Sequence, residues 1–182
     1  MNPMLDGYPE DYNGYLIRTD FRIGIQICQC LADDELSEYE RIATALYLLY
    51  GKSIPDAETA YHGLAWFLNG GNLPEERNGE EDEKSFDFDV DAGRIITGFR
   101  KAYGIDLEKE SLHWFKFLRM IGDLGECAFT SVIEYRTKKI TSDMPAEMRK
   151  TYAELRKRYA LKQDYSEEEQ SAIADFLAAL AD

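Results

Sequence analysis

Apolar residues recur along this chain at helical spacing. Phe21, Ile25, Cys28 and Ala32 stand at i, i+4, i+7 and i+11, one face of a helix with 3.6 residues per turn, and Thr19 or Asp20 is placed to open it. After the turn Asp33-Asp34-Glu35, Ser37 and Glu40 have capping-box spacing, so hydroxyl and carboxylate can each meet an amide that the helix start leaves unpaired. Ile42, Ala45, Leu46 and Leu49 form the stripe of that second helix, and Gly51 is its natural stop. Asp56 is placed to cap a third, with Ala60, Leu64, Phe67 and Leu68 on its apolar side and Asn69-Gly-Gly-Asn72 at its end.

Residues 73–85 are polar and acidic without periodicity, which predicts an exposed, mobile loop. A fourth helix is expected over about 92–103, with Ile95, Phe99, Ala102 and Tyr103, and a break at Gly104-Ile105-Asp106. The fifth, about 108–122, contains Leu112-His-Trp-Phe-Lys-Phe-Leu118 and is apolar around most of its circumference, the pattern of a central buried helix. A short helix near 127–137 follows, then one over 145–159 with Met148, Tyr152, Leu155 and Tyr159 on one face. Residues 166–181 close the series, with Ile173, Phe176, Leu177 and Leu180 as an amphipathic stripe. Tyr15-Leu-Ile17 is the only strand-like run, and no internal repeat is present. The expectation is an all-α fold, a compact bundle of about seven to eight helices. Its core domain spans 14–162, and a peripheral C-terminal helix within 163–182 either docks on the core or serves a partner.

Composition supports that picture. At 182 residues, 45% hydrophobic and 13% aromatic, the chain can build one domain core. No apolar run approaches the ~20 residues of a membrane span, and the first residues lack the basic and apolar regions of a signal peptide. Three cysteines without framework spacing suggest reduced thiols, so the expectation is a soluble cytoplasmic protein. The net charge of −14 is uneven: residues 1–91 hold 20 acids against 6 bases, and residues 92–182 hold 15 of each. Residues 136–162 are locally basic, with nine bases against three acids. Such opposed poles allow head-to-tail association into a homo-oligomer or binding of a basic partner on one side, or are simply solvated helix faces. The acidic total argues against general nucleic-acid binding.

The candidate chemistry is thin. Asp87, Asp89 and Asp91 alternate like the start of a calcium loop, but counting from Asp87 position 6 is Ala92 and position 12 is Gly98. The turn glycine and the bidentate glutamate of such a loop are both missing. Asp91 as N-cap, with Val90 and Ile95 at hydrophobic-staple spacing, accounts for the same residues. Phe86, Phe88 and Val90 would then face inward on an extended lead-in, with the acids outward. Cys28 and Cys30 lie about 200° apart on a helix and cannot share a metal. Glu110-x-x-His113 is half of a di-iron signature whose second pair is absent. No nucleophile elbow, phosphate loop or dinucleotide fingerprint occurs. No catalytic, cofactor-binding or metal-binding residue is therefore assigned, and function is expected to reside in surfaces.

Several segments in order carry a resemblance. They are Ile17-Arg-Thr-Asp-Phe-Arg22 with the acidic turn after it, Ala65-Trp-Phe-Leu-Asn69, Phe86-Asp-Phe-Asp-Val-Asp91, Leu112-His-Trp-Phe-Lys-Phe117, Ile133-Glu-Tyr-Arg136 and Arg158-Tyr-Ala-Leu161. Over about residues 14–162 the chain resembles the "gene product fifteen" family of long-tailed phages and prophages of Gram-positive bacteria. The resemblance implies a non-enzymatic tail-assembly chaperone. Such a protein acts in the host bacterial cytoplasm on the tape-measure protein and the major tail protein, and is absent from the finished virion. Trp66, Phe67 and the stripe Ile173, Phe176, Leu177 and Leu180 are the partner-binding candidates. Two alternatives stand beside this reading: a structural tail or connector component, and an acidic DNA-mimic inhibitor. The basic stretch and the large aromatic core disfavour the second.

Overall fold

Helix starts lie where short polar side chains precede apolar periodicity. The computed structural model describes residues 2–72 and 84–161. The expectations for residues 73–83 and for the helix over 166–181, including Ile173, Phe176, Leu177 and Leu180, lie outside the described residues. Helix α1 (Phe21–Leu31) opens at Asp20, whose carboxylate accepts the Arg22 amide at 2.8 Å. Before α2 (Glu38–Tyr50) the capping box is formed: the Ser37 amide donates to Glu40 Oε2 at 2.9 Å, and the Glu40 amide to Ser37 Oγ at 3.4 Å. Helix α3 (Ala57–Leu68) starts at Asp56, which accepts the Thr59 amide at 3.1 Å. Helix α4 (Ala92–Tyr103) ends at Gly104, in the left-handed region at φ 68°. Helices α5 (Trp114–Gly122), α6 (Ala128–Thr137) and α7 (Ala146–Tyr159) complete the described fold.

The fold is mostly helical, with one addition to the expected bundle. Strands β1 (Asp11–Tyr12) and β2 (Tyr15–Leu16) pair antiparallel across Asn13 and Gly14. Both turn residues have positive φ, 51° and 84°, as a tight two-residue hairpin turn requires.

Helix α5 lies at the centre. Phe117 is fully buried and stacks on Phe21 at 4.9 Å, Phe99 at 5.2 Å and Trp114 at 5.7 Å. Around it, α1 packs on α2 and α5, α3 on α2, α4 on α5 and α6, and α7 on α6.

Two expectations need correction here. On α1 the fully buried positions are Phe21, Gly24 and Ile27; Ile25 and Cys28 flank that line, and Ala32 is exposed. The stripe is rotated because Gly24, invisible to an apolar pattern, is where the Trp114 ring lies against the helix backbone. Helix α5 begins at Trp114 instead of near 108, since residues 110–113 run alongside the chain before α1. The Phe21 amide donates to the Leu112 carbonyl at 2.9 Å and the Trp114 amide to the Thr19 carbonyl at 2.6 Å. Helix α7 is peripheral. It has no fully buried residue; Tyr152, Leu155 and Tyr159 are half-buried and Met148 is exposed.

Candidate functional site

Asp91 stands at the start of α4, at φ −102° and ψ 3°, but its carboxylate accepts no bond from a backbone amide of that helix's first turn. This corrects the N-cap expectation. Instead, 0% exposed, it is gripped by Arg136: Nη1 donates to Oδ2 at 2.6 Å and Nη2 to Oδ1 at 3.1 Å. Arg94 Nη1 donates to Oδ1 at 2.8 Å and the Asp87 amide to Oδ2 at 3.1 Å. The staple is not made either, because Val90 is 54% exposed. Residues 87–91 form a turn closed by the Asp91 amide on the Asp87 carbonyl at 2.9 Å, so strict alternation is lost. Asp91 turns inward and Val90 outward. Phe86 and Phe88 do pack on the core, Phe86 edge-on to Phe129 with centroids 5.5 Å apart.

Arg136 uses its remaining donors on backbone. Its Nε donates to the Tyr159 carbonyl at 2.6 Å and its Nη1 to the Ser85 carbonyl at 3.2 Å. One guanidinium thus ties α4, α6, the end of α7 and the chain before α4. Burial alone would raise the Asp91 pKa; the donors from Arg136, the Asp87 amide and Arg94 outweigh it and hold the carboxyl below its ordinary value. The sequence did carry a signal for this pair. Phe129, Val132 and Arg136 fall at i, i+3 and i+7, which puts an arginine on the buried face of α6. Counting Arg136 with the basic surface was therefore an error of placement.

The three aspartates turn to separate protein donors. Asp87 takes Lys84 Nζ at 2.5 Å and the amides of Asp89 and Val90 at 2.8 and 3.0 Å. Asp89 accepts from Gln29 Nε2 at 2.6 Å. Among the described residues no group of three His, Cys, Asp or Glu side chains is arranged to hold a metal ion.

A second node surrounds His113. Its Nδ1 accepts the Phe115 amide at 3.1 Å, so the ring opens α5; Nε2 then carries the proton and donates to the Pro9 carbonyl at 2.9 Å. Burial lowers the His113 pKa against the opposing pull of that carbonyl and of Glu10. Glu110 lies off the helix, its carboxylate accepting the Asp106 amide at 2.9 Å, so it forms no helical pair with His113. Asp20 also accepts the Ser111 hydroxyl. Arg22 Nη2 donates to the carbonyls of Leu107 at 2.8 Å and Glu110 at 3.1 Å. Trp114 Nε1 donates to the Phe67 carbonyl at 3.0 Å, which ties α5 to α3.

That geometry corrects one contact candidate and qualifies another. Phe67 is 0% exposed and stacks on Trp114 with centroids 6.0 Å apart; it is core and not surface. Trp66 is half-buried between Tyr12 at 5.0 Å and Phe115 at 5.1 Å. Ser37 and Glu40 remain exposed and are engaged with each other. Burial pushes the Cys28 thiol up to about 11, and Cys30 Sγ lies 3.5 Å from the Arg41 carbonyl. Open clefts among the described residues include a more polar one of about 780 Å³, lined by Cys28, Gln29, Asp33, Lys84, Asp87 and Asp89, and an apolar one of about 230 Å³ lined by Phe21, Ile25, Phe88, Ala92, Ile95 and Leu107. Small-molecule pockets usually hold about 300–1,000 Å³, so the apolar cleft suits a protruding side chain better than a cofactor.

The marker segments of the sequence collapse into these two nodes. Phe86–Asp91, Ile133–Arg136 and Arg158–Leu161 meet at the Asp91–Arg136 pair. Residues 17–22, 65–69 and 112–117 meet around Trp114 and His113. Within each node, hydrogen bonds join these segments across 23 to 95 positions of chain. Comparison with curated proteins and with solved structures finds no match. Residues 6–161 match the protein family described as Bacteriophage Gp15 protein, most of the chain and both nodes included, and the chain belongs to that family.

Proposed function

We propose that this phage protein is a non-enzymatic tail-assembly chaperone that binds the tape-measure protein in the host cytoplasm and assists assembly of the tail tube from the major tail protein. Family membership is the observation that carries the reading, because it places the chain among bacteriophage proteins. The geometry supports the same direction. Three buried or half-buried polar side chains are engaged in holding the fold: Asp91 and Arg136 with each other, His113 with Phe115 and Pro9. The apolar open feature is the cleft between α1 and α4, one of several clefts among the described residues, with Arg22 and Glu108 also on its lining. A tape measure is a long helical chain whose apolar stripes stay exposed until it is encased. One bulky side chain of such a stripe, seated in the cleft, follows helix-in-groove recognition. Among the described residues no helix is long and apolar enough to cross a membrane.

Co-expression with the tape-measure protein of the same phage tests the proposal. A rise in that partner's soluble fraction and a co-purifying complex are expected. Ile96→Glu, at the cleft lining, should lower the yield of complex while the free protein keeps its helical circular dichroism. Absence of any complex, together with abundant copies in purified virions, would instead make the protein a structural tail component.

A further inference from the structure

We infer that the chain's own C-terminal stripe, Ile173, Phe176, Leu177 and Leu180, docks in the apolar cleft between α1 and α4 of the same copy. Of the cleft's lining, Phe21, Ile95, Leu107 and Phe117 are buried, whereas Ile25, Phe88, Ala92 and Ile96 are only half-buried and leave apolar surface open. The described chain ends close to that surface. Arg136 Nε donates to the Tyr159 carbonyl at 2.6 Å, and the same guanidinium grips Asp91, the residue before Ala92. Arg94 lies over the Tyr159 ring, 5.6 Å from its centroid. The chain beyond Leu161 therefore departs from the first turn of α4. Arg94 and the cleft residues Ala92 and Ile96 fall on opposite sides of α4, so the remaining path crosses one helix, about 10–12 Å. Ile173 is the twelfth residue after Leu161, and twelve residues reach up to about 40 Å. A segment tethered this close meets the cleft at an effective concentration on the order of millimolar, which a second copy reaches only in concentrated solution.

Pattern and charge select this cleft for this segment. The four stripe residues stand at i, i+3, i+4 and i+7, the anchor spacing of helix-in-groove recognition. Residues 163–182 carry acids and no lysine or arginine. The larger cleft is edged by Asp33, Asp87 and Asp89, and the one base on its lining, Lys84, is already on Asp87 at 2.5 Å, so it repels an acidic segment. The apolar cleft has one base and one acid, Arg22 and Glu108, on its lining. Docked there, the stripe holds the cleft until a tape-measure side chain displaces it. That competition rests on the proposed chaperone role; the docking itself does not.

Methyl NMR of the full chain tests the docking. Nuclear Overhauser contacts are expected between the Phe176 ring and the methyl groups of Ile25 and Ile96. In an equal mixture of labelled and unlabelled protein, none should pass between copies. Phe176→Glu with Leu177→Glu should abolish these contacts and shift the Ile25, Ile95 and Ile96 methyl signals, while Leu64 on α3 stays in place. A cleft occupied about nine-tenths of the time binds a competitor about tenfold more weakly than an empty one. The double variant should therefore bind the tape-measure protein about tenfold more tightly than the parent does. Missing contacts, contacts that pass only between copies, or isoleucine signals that ignore the double variant would overturn the docking. Equal affinity of parent and variant would overturn the competition. A tape-measure protein bound by neither would count against the chaperone reading alone, because the docking is read from the free protein.

Discussion

Removing one member of a buried ion pair strips the other of its main counter-charge, which is why the Asp91–Arg136 node dominates at the scale of single residues; without Arg136, Asp91 keeps only Arg94 and the Asp87 amide. Arg136→Ala strips Asp91 of two donors and frees the carbonyls of Tyr159 and Ser85 as well. A loss of about 3–5 kcal/mol is expected in chemical denaturation. Replacing both partners by apolar residues of similar size should cost less than Arg136→Ala alone, because no charge is then stranded. The pair also sets a pH dependence. Because the folded-state pKa of Asp91 is depressed, its stabilisation is complete above the unfolded value of about 3.9 and is lost as pH falls through the folded one. Denaturation midpoints should therefore drop below about pH 4, less so in Asp91→Asn. His113 acts earlier. Its folded pKa is also lowered, so its contribution is complete above about 6.5 and declines as pH falls from there through the folded value. NMR titration of the His113 ring should give a midpoint below 6.5, and a midpoint at or above it would contradict the Nδ1 cap.

Among elements, those with strong period and clear caps were legible: α2, α3 and α4 were readable to within a residue or two from Ser37, Asp56 and Gly104. What escaped the pattern depended on contacts far apart in sequence. A glycine carries no hydrophobicity, yet Gly24 fixes the face of α1 because Trp114 occupies the space of its missing side chain. Residues 108–113 have helical composition, but pairing of Thr19 and Phe21 with Leu112 and Trp114 holds them off the helix. Asp91 was recognised as a structural residue and given the wrong partner, since Arg136 lies 45 positions away. Gly24→Ala tests the first of these. A Cβ there overlaps the indole, and because ring and backbone are both fixed in the core, a cost of about 1–3 kcal/mol is expected from thermal or chemical denaturation. Helix α7 tests the opposite case. With no buried residue and its main packing on α6, it should exchange amide hydrogens well before α5, whose Trp114, Phe115 and Phe117 are buried. Equal protection in the two helices would show that α7 opens only with the whole fold.

For the molecule as a whole, the residues through which the marker segments meet are interior, while the acids of the α1–α2 turn are exposed. Asp91, Arg136, Trp114 and Phe67 lie inside, so replacing any of them should act first on stability. The net charge of −14 comes from 35 acids against 21 bases over the whole chain, and among the described residues the acids of the α1–α2 turn are exposed and close together. Self-repulsion of that size works against the folded state, and salt screens it. In dilute solution, where copies do not meet, adding salt up to about 0.15 M should therefore raise the melting temperature, by about 2–4 °C if the relief is near 1 kcal/mol. The buried pair is screened much less and should not reverse the sign. A melting temperature that falls with salt would mean that surface pairs such as Arg100 with Asp106 and Glu108 outweigh the net repulsion.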